Sequence, residues 1–372
     1  MVIWEVTQAC DLVCRHCRAS AQPDAHPGML TFEQGKKLID DVRDFSERPP
    51  ILVFTGGDPF KRDDLYELVR YADKLGLVPA VSPSATPLLN RDSLQKVREA
   101  GAKVISLSLD ASTAEEHDAF RGVKGSYDLT MTGWREAYEV GLKVQVNTTV
   151  TRHNLEDLAD IFALLCDLKV MTWSVFFLVP TGRAIDEQHL TPQECESVMN
   201  FLVDACRFVS VKTTEGHHFK RIVLQRSLVP QPPGDPLYRR LKSRLDQVVS
   251  KRELPARPKI LRPPMNINAG NGFVFISHLG EVFPSGFLPI SAGNVKRKSL
   301  VDIYRDSPLF RSLRDPEQLQ GRCGVCEFRE VCAGSRSRAF ATAGSPLAED
   351  PFCAYQPGSF PKQKELAELL SR

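Results

Sequence analysis

Between residues 2 and about 180 the chain alternates short runs of β-branched or aromatic residues with longer stretches of amphipathic, helical spacing. That order of elements builds parallel strands joined by crossover helices, which leaves few folds open. Six strands are predicted: Val2–Val6, Ile51–Phe54, Val78–Val81, Val104–Leu107, Val144–Val150 and Thr172–Phe177. Helices fit between them, one opened by Thr31 with Glu33 close behind, the others over Arg62–Leu75, Asp92–Ala100, Tyr127–Val140 and Leu155–Leu168. Gly76, Gly101 and Gly141 stand where helices end, at the left-handed position that glycine takes without strain. The expected fold class is α/β, a partial (β/α)6 barrel, with functional residues on the loops that leave the C-terminal ends of its strands.

From Ala184 to Pro264 the pattern changes to a helix over Thr191–Val209 and then a basic connector with Pro230, Pro232, Pro233, Pro255, Pro258, Pro263 and Pro264. Such a segment reads as a bridge. A hairpin-like run, Phe273–Phe283, then precedes a Cys-rich loop, and Lys362–Leu370 has the spacing of a short amphipathic helix. The expected organisation is a barrel over 1–184, a helical and Pro-rich bridge over 185–264, and a small Cys-rich domain with a β-hairpin over 265–372.

Lys and Arg number 48 against 46 Asp and Glu, a net charge of +2 that gives no electrostatic ground for a nucleic-acid partner. No apolar stretch reaches the roughly 18 residues that span a bilayer, and residues 1–20 carry too short an apolar run for a signal peptide. A cytoplasmic protein with no membrane partner is expected. Ten cysteines in a reducing compartment point to metal or redox work rather than disulfides.

Seven of the ten are clustered. Cys10, Cys14 and Cys17 form a C-x3-C-x2-C loop directly after the first strand. Three thiolates on one loop hold three corners of a four-iron cluster and leave the fourth iron open for chemistry. A zinc site with His16 as fourth ligand is the competing reading. Cys323, Cys326 and Cys332, with Cys353 after a longer loop, make a complete four-thiolate set that suits either a closed cluster or structural zinc. Cys166, Cys195 and Cys206 fall in helical patterns without metal spacing and are expected to be inert.

The Cys10–Cys17 triplet resembles the signature of the radical S-adenosylmethionine superfamily. The resemblance implies a 4Fe-4S cluster whose open iron binds the methionine end of S-adenosylmethionine. Electron injection, by a donor such as flavodoxin or ferredoxin, then yields a 5'-deoxyadenosyl radical that abstracts hydrogen from an inert C–H bond. It also implies cofactor contacts. His16 takes the place of the usual aromatic residue against the adenine. Thr55-Gly56-Gly57-Asp58-Pro59 is similar to the family's Gly-Gly-Glu-Pro segment that receives the methionine amino group, with Asp58 one methylene shorter than the usual Glu. Ser84 and Ser108 match positions that meet the cofactor's polar parts, Arg121 the arginine that pairs with the methionine carboxylate, and Asn147 and Leu178 positions facing ribose and adenine.

The second cysteine group resembles the C-terminal half of the SPASM extension, which carries auxiliary 4Fe-4S clusters. Ser285 and Ser335 stand where two-cluster members have cysteine, so one auxiliary cluster is expected. Val179-Pro-Thr-Gly-Arg-Ala184, the Ser-Arg-Ser-Arg run at 335–338 and Leu347–Pro351 look most like the alternative-haem and denitrification-haem enzymes, which remove or reshape tetrapyrrole propionates. A carboxylate-bearing substrate is therefore expected, a tetrapyrrole or, in the alternative, the peptide of a maturase. Only nine residues precede Cys10, which disfavours a fused leader-binding module. A non-catalytic metal carrier or scaffold is a further alternative. Lys212, His217, His218, Lys220, Arg221 and Arg226 form a basic run suited to substrate carboxylates, or else a solvated loop.

Overall fold

The computed structural model describes residues 1–184, 188–230, 234–257 and 266–370. Its barrel half runs β1 (Val2–Thr7), α1 (Phe32–Arg43), β2 (Leu52–Gly56), α2 (Leu65–Lys74), β3 (Pro79–Val81), α3 (Arg91–Glu99), β4 (Val104–Ser108), α4 (Ala114–Arg121), α5 (Ser126–Glu139), β5 (Lys143–Val150), α6 (Leu158–Asp167) and β6 (Thr172–Phe177). Next come α7 (Pro192–Ala205), β7 (Val211–Thr214), α8 (Phe219–Leu228) and α9 (Pro236–Lys251). The last third holds β8 (Val274–Ile276), β9 (Glu281–Phe283), β10 (Gly293–Asn294), α10 (Leu300–Asp306), α11 (Pro308–Arg314), α12 (Gly321–Gly324), α13 (Arg336–Ala343) and α14 (Gln363–Leu370).

Among the described residues all ten strands belong to one sheet, ordered β10-β9-β8-β1-β2-β3-β4-β5-β6-β7. The six expected strands are present and parallel, and β7 adds a seventh parallel strand beside β6. The Phe273–Phe283 hairpin forms as β8 and β9, with β8 parallel to β1. The Cys-rich region thus continues the barrel's sheet.

Each strand turns one face to the helices and one to the concave side. Leu107, Val146 and Trp173 pair in register across β4, β5 and β6 and are buried against the helices, Trp173 edge-on to Phe201 of α7. Their neighbours Ser108, Asn147 and Ser174 form the adjacent row, followed by Lys212 of β7. Because strand side chains alternate, that row lies on the opposite, concave face. On the same face Phe176, two residues after Ser174, meets Phe287 from the segment between β9 and β10 at 6.3 Å between ring centroids. The two flanks of the sheet are thus bridged.

Helix starts follow local chemistry. Thr31 caps α1 with Gln34 in a reciprocal box, and Thr191 caps α7 with Glu194 in the same way. The predicted helix over Arg62–Leu75 starts later, at Leu65, because the Arg62 guanidinium is spent on Val6 O, Leu30 O and Asp64 while Pro59–Lys61 makes a separate 3-10 turn. The expected helix over Thr191–Val209 ends at Ala205. The connector predicted after it instead holds β7, α8 and α9, although Pro232, Pro233, Pro258, Pro263 and Pro264 lie outside the described residues. Asp235 caps α9, and Leu237, Leu241 and Leu245 bury its inner face at a spacing of four. No described helix is long and apolar enough to cross a membrane.

Candidate active site

The loop leaving β1 folds back on itself. Cys10 N donates to Gln22 O at 2.7 Å, and Ala9 and Gln22 form an isolated bridge. This closure brings Cys10, Cys14 and Cys17 into one apolar cluster with Leu12, Ala21 and Val123. Burial pushes the Cys10 and Cys14 thiols up, and donors oppose it: Leu12 N donates to Cys10 Sγ at 3.4 Å, beside Ser84 Oγ, and Arg121 Nη1 donates to Cys14 Sγ at 3.8 Å. Donors aimed at sulfur favour the thiolate that iron binding requires.

The strand-two loop supports that arrangement by close approach. A Cβ on Gly56 would sit 2.4 Å from Thr7 O, and one on Gly57 would sit 2.3 Å from Ala9 O. Their freedom is used on the backbone of the cysteine loop: Gly57 N donates to Thr7 O at 2.9 Å and Asp58 N to Ala9 O at 2.6 Å. Asp58 is fully buried and its carboxylate is occupied, accepting from Phe60 N at 3.2 Å, Ser84 N at 3.4 Å and Thr86 Oγ1 at 2.7 Å. Ser84 Oγ in turn donates to Gly57 O at 2.7 Å. Pro59 begins the short turn that Asp58 caps, and Thr55 pairs in register with Glu5 of β1.

Arg121 ends α4, a helix absent from the predicted set, and is ion-paired with the fully buried Asp110. Burial alone would raise the Asp110 carboxyl, but the neighbouring guanidinium holds it below the ordinary carboxylate range. Thr149 N also donates to Asp110, at 2.8 Å. The Arg121 Nε is buried without a hydrogen-bond partner. His16 stacks on Phe120, with centroids 4.4 Å apart and planes 5° apart, and Phe120 stacks in turn on His153. Burial pushes His16 down to about 3, so the ring is neutral.

Ser108 and Asn147 lie side by side in the concave row, and Asn147 Oδ1 accepts from Gln145 at 2.7 Å. Leu178 is buried just past β6. The loop beyond it packs on the cysteine loop: Gly182 has φ +62°, and a Cβ there would lie 2.3 Å from Cys17 O. Arg183 N donates to Cys17 O at 2.9 Å and its Nε to Cys14 O at 3.1 Å.

Cys323, Cys326, Cys332 and Cys353 line one pocket with Arg221, Phe328 and Tyr355. Arg336 Nη2 and Asp350 N both donate to Cys323 Sγ, at 3.6 and 3.4 Å, while burial pushes Cys326 and Cys332 up to about 12. Among the described residues no three His, Cys, Asp or Glu side chains converge closely enough to hold one metal ion. Ser285, Ser335 and Ser337 instead meet at the buried carboxylate of Glu215, at 3.0, 2.5 and 2.9 Å.

The basic run is not one solvated loop. Arg221 is buried and paired with Glu196, Arg226 pairs with Asp204, and Lys220 donates to Ile267 O at 2.8 Å. His218 is fully buried beside Asp350, and burial pushes it down to about 3. Burial also pushes His217 well down. Lys212 alone of the six stands in the concave row. Sequence reasoning quoted Arg183 only within the 179–184 motif, and it missed Asp110, Glu215 and the Glu5–Arg18–His278 group, in which Glu5 meets Arg18 at 3.1 Å and His278 at 2.7 Å. An acid two residues past a strand end was the available signal for Asp110.

A family model, the Radical SAM superfamily, matches residues 4–165. The chain is 40% identical over 368 residues to an AdoMet-dependent heme synthase of Oleidesulfovibrio alaskensis, covering 97% of this chain and 88% of that protein. It is 35% identical to the AdoMet-dependent heme synthase of Methanosarcina barkeri, covering 96% of this chain and 97% of that one. The solved structure of native anSMEcpe with bound AdoMet superposes with a TM-score of 0.68 at 13% identity, over 100% of this chain and 96% of that chain, a likeness of fold. Similarity of this extent to the two synthases, joined to a three-cysteine loop leaving the first strand of a parallel sheet, makes the chain a member of the radical SAM superfamily and an enzyme.

Proposed function

We propose that the chain acts on a propionate-bearing tetrapyrrole, removing or reshaping its carboxylate side chains. Membership of the superfamily implies a 4Fe-4S cluster and S-adenosylmethionine, which together supply a 5'-deoxyadenosyl radical able to take hydrogen from an unactivated C–H bond. Cys10, Cys14 and Cys17 would hold that cluster. The observation that carries the reading is their convergence at the head of β1 with Ser84 and Arg121 turned toward the sulfurs. His16, Thr55, Gly56, Gly57, Asp58, Pro59, Ser84, Ser108, Arg121, Asn147 and Leu178 are proposed as the cofactor's surroundings. Within that set Asp58 acts by holding the loop of Ser84, and Asp110 by fixing Arg121. The haem-synthase relatives and the 179–184, 335–338 and 347–351 segments support a tetrapyrrole over a peptide. Cys323, Cys326, Cys332 and Cys353 would hold one auxiliary 4Fe-4S cluster, and a flavodoxin or ferredoxin would supply the electron.

Anaerobic reconstitution tests this. About eight irons per chain are expected, four for each cubane. Reduction with S-adenosylmethionine should release 5'-deoxyadenosine, and Cys14→Ala should abolish it. Cys326→Ala should keep part of that cleavage while product formation falls. Zinc in place of iron, or iron-replete protein that forms no 5'-deoxyadenosine, would sink the reading.

A further inference from the structure

Lys212 is the second residue of β7 and continues the row Ser108, Asn147, Ser174 across four neighbouring strands. The alternate row, Leu107, Val146, Trp173 and Val211, packs on the helices, so Lys212 projects onto the concave face. Among the described residues its ammonium has neither an acidic nor a carbonyl partner, whereas Arg18, which lies over the Phe275 ring, is already tied to Glu5. Burial alone pushes the Lys212 ammonium down from its ordinary range. Beside it Ser174 is fully buried, and its Oγ has no hydrogen-bond partner.

A part-buried ammonium without a counter-charge is costly to keep, and a buried hydroxyl without a partner adds to that cost. A carboxylate brought onto the concave face offsets the first. The neutral amide and hydroxyls of the rest of the row leave Lys212 as the charged end of a polar strip four strands wide. We propose that Lys212 is the specificity-determining anchor for a substrate carboxylate, at the β7 end of the concave row whose β4 and β5 members, Ser108 and Asn147, face the cofactor. This rests on the tetrapyrrole reading, whose substrate presents several carboxylates on a flat apolar ring.

The test is an anaerobic titration of reconstituted full-length protein with two probes, iron coproporphyrin III and its tetramethyl ester, followed by absorbance. Wild-type protein is expected to prefer the acid. Lys212→Met should weaken binding of the acid about ten- to a hundredfold and leave binding of the ester as it was, and Lys212→Arg should restore most of the loss. Because methionine removes the cost of the buried charge, K212M should unfold at or above the wild-type temperature, an outcome that a merely structural lysine would reverse. Equal binding of the acid by wild type and K212M, or equal weakening of acid and ester, overturns the anchor alone. Wild-type protein that binds neither probe overturns the tetrapyrrole reading and the anchor with it.

Discussion

Gly57 and Gly182 do comparable work from opposite sides of the cysteine loop. Each lets a neighbouring segment come so near that a single added carbon would overlap a carbonyl oxygen. The cysteine spacing and the Gly-Gly pair were legible in the sequence because their chemistry lies in adjacent residues. Asp110 was not, since an aspartate two residues past a strand means nothing until Arg121 is folded against it. The buried histidines were likewise hidden, as nothing around His117 or His218 in the sequence says that these rings leave water. They carry a pH dependence whose sign is set by burial. His218 is held down at about 3 and His117 at about 4, against an ordinary 6.5. Below pH 6.5 the unfolded chain takes up protons that the folded chain refuses, so stability present above that pH is lost as it falls toward 4. The slope is about 1.4 kcal/mol per pH unit for each such ring. Denaturant midpoints between pH 7 and pH 5 measure it, and His218→Leu should flatten the slope by about one proton. Identical slopes in the two proteins would show that His218 is not buried as the neutral form.

At the scale of elements, the barrel strands were predictable because β-branched runs alternate with helical spacing, and their ends moved by a residue or two. β7, α8 and α9 were not predicted. β7 is four residues long with a lysine inside it, and α8 carries arginines that look solvated but are buried in ion pairs. The spacing of Leu237, Leu241 and Leu245 behind Asp235-Pro236 was the missed signal for α9. Arg221 shows what α8 contributes: it pairs with Glu196 of α7 and lies over the Tyr355 ring, 4.8 Å from its centroid, at the edge of the second cysteine pocket. Removing one partner of a buried pair costs about 3–5 kcal/mol, and the partly exposed Glu196 brings the expectation for Arg221→Ala to about 2–4 kcal/mol. Chemical denaturation followed by far-UV circular dichroism checks this. The same variant should lose iron from the second site before the first, read by iron content after mild chelation.

In the whole molecule the sheet is bridged across its two flanks by side chains. Glu215, just past β7, accepts from Ser285 on the hairpin side and from Ser335 and Ser337 at the start of α13. Three hydroxyls converging on one carboxylate tie the edge strand β7 to the Cys-rich region. Glu215→Ala removes the acceptor of all three hydroxyls, and a loss of about 1–3 kcal/mol is expected. Hydrogen exchange over 336–343 should quicken more in Glu215→Ala than in Glu215→Gln, which keeps an acceptor oxygen. Equal exchange in both variants and wild type would mean that the carboxylate fastens nothing.

The strand order bears on how the protein is made. β1 is flanked by β2 on one side and by β8 on the other, and β8 ends only at Ile276. During synthesis the strand that carries the cysteine loop therefore keeps one bare edge until most of the chain has left the ribosome. A bare parallel edge recruits other strands. Iron insertion at Cys10, Cys14 and Cys17 has a finished scaffold to act on only after β8 has docked, so a chain cut short before residue 274 should be recovered as iron-free aggregate.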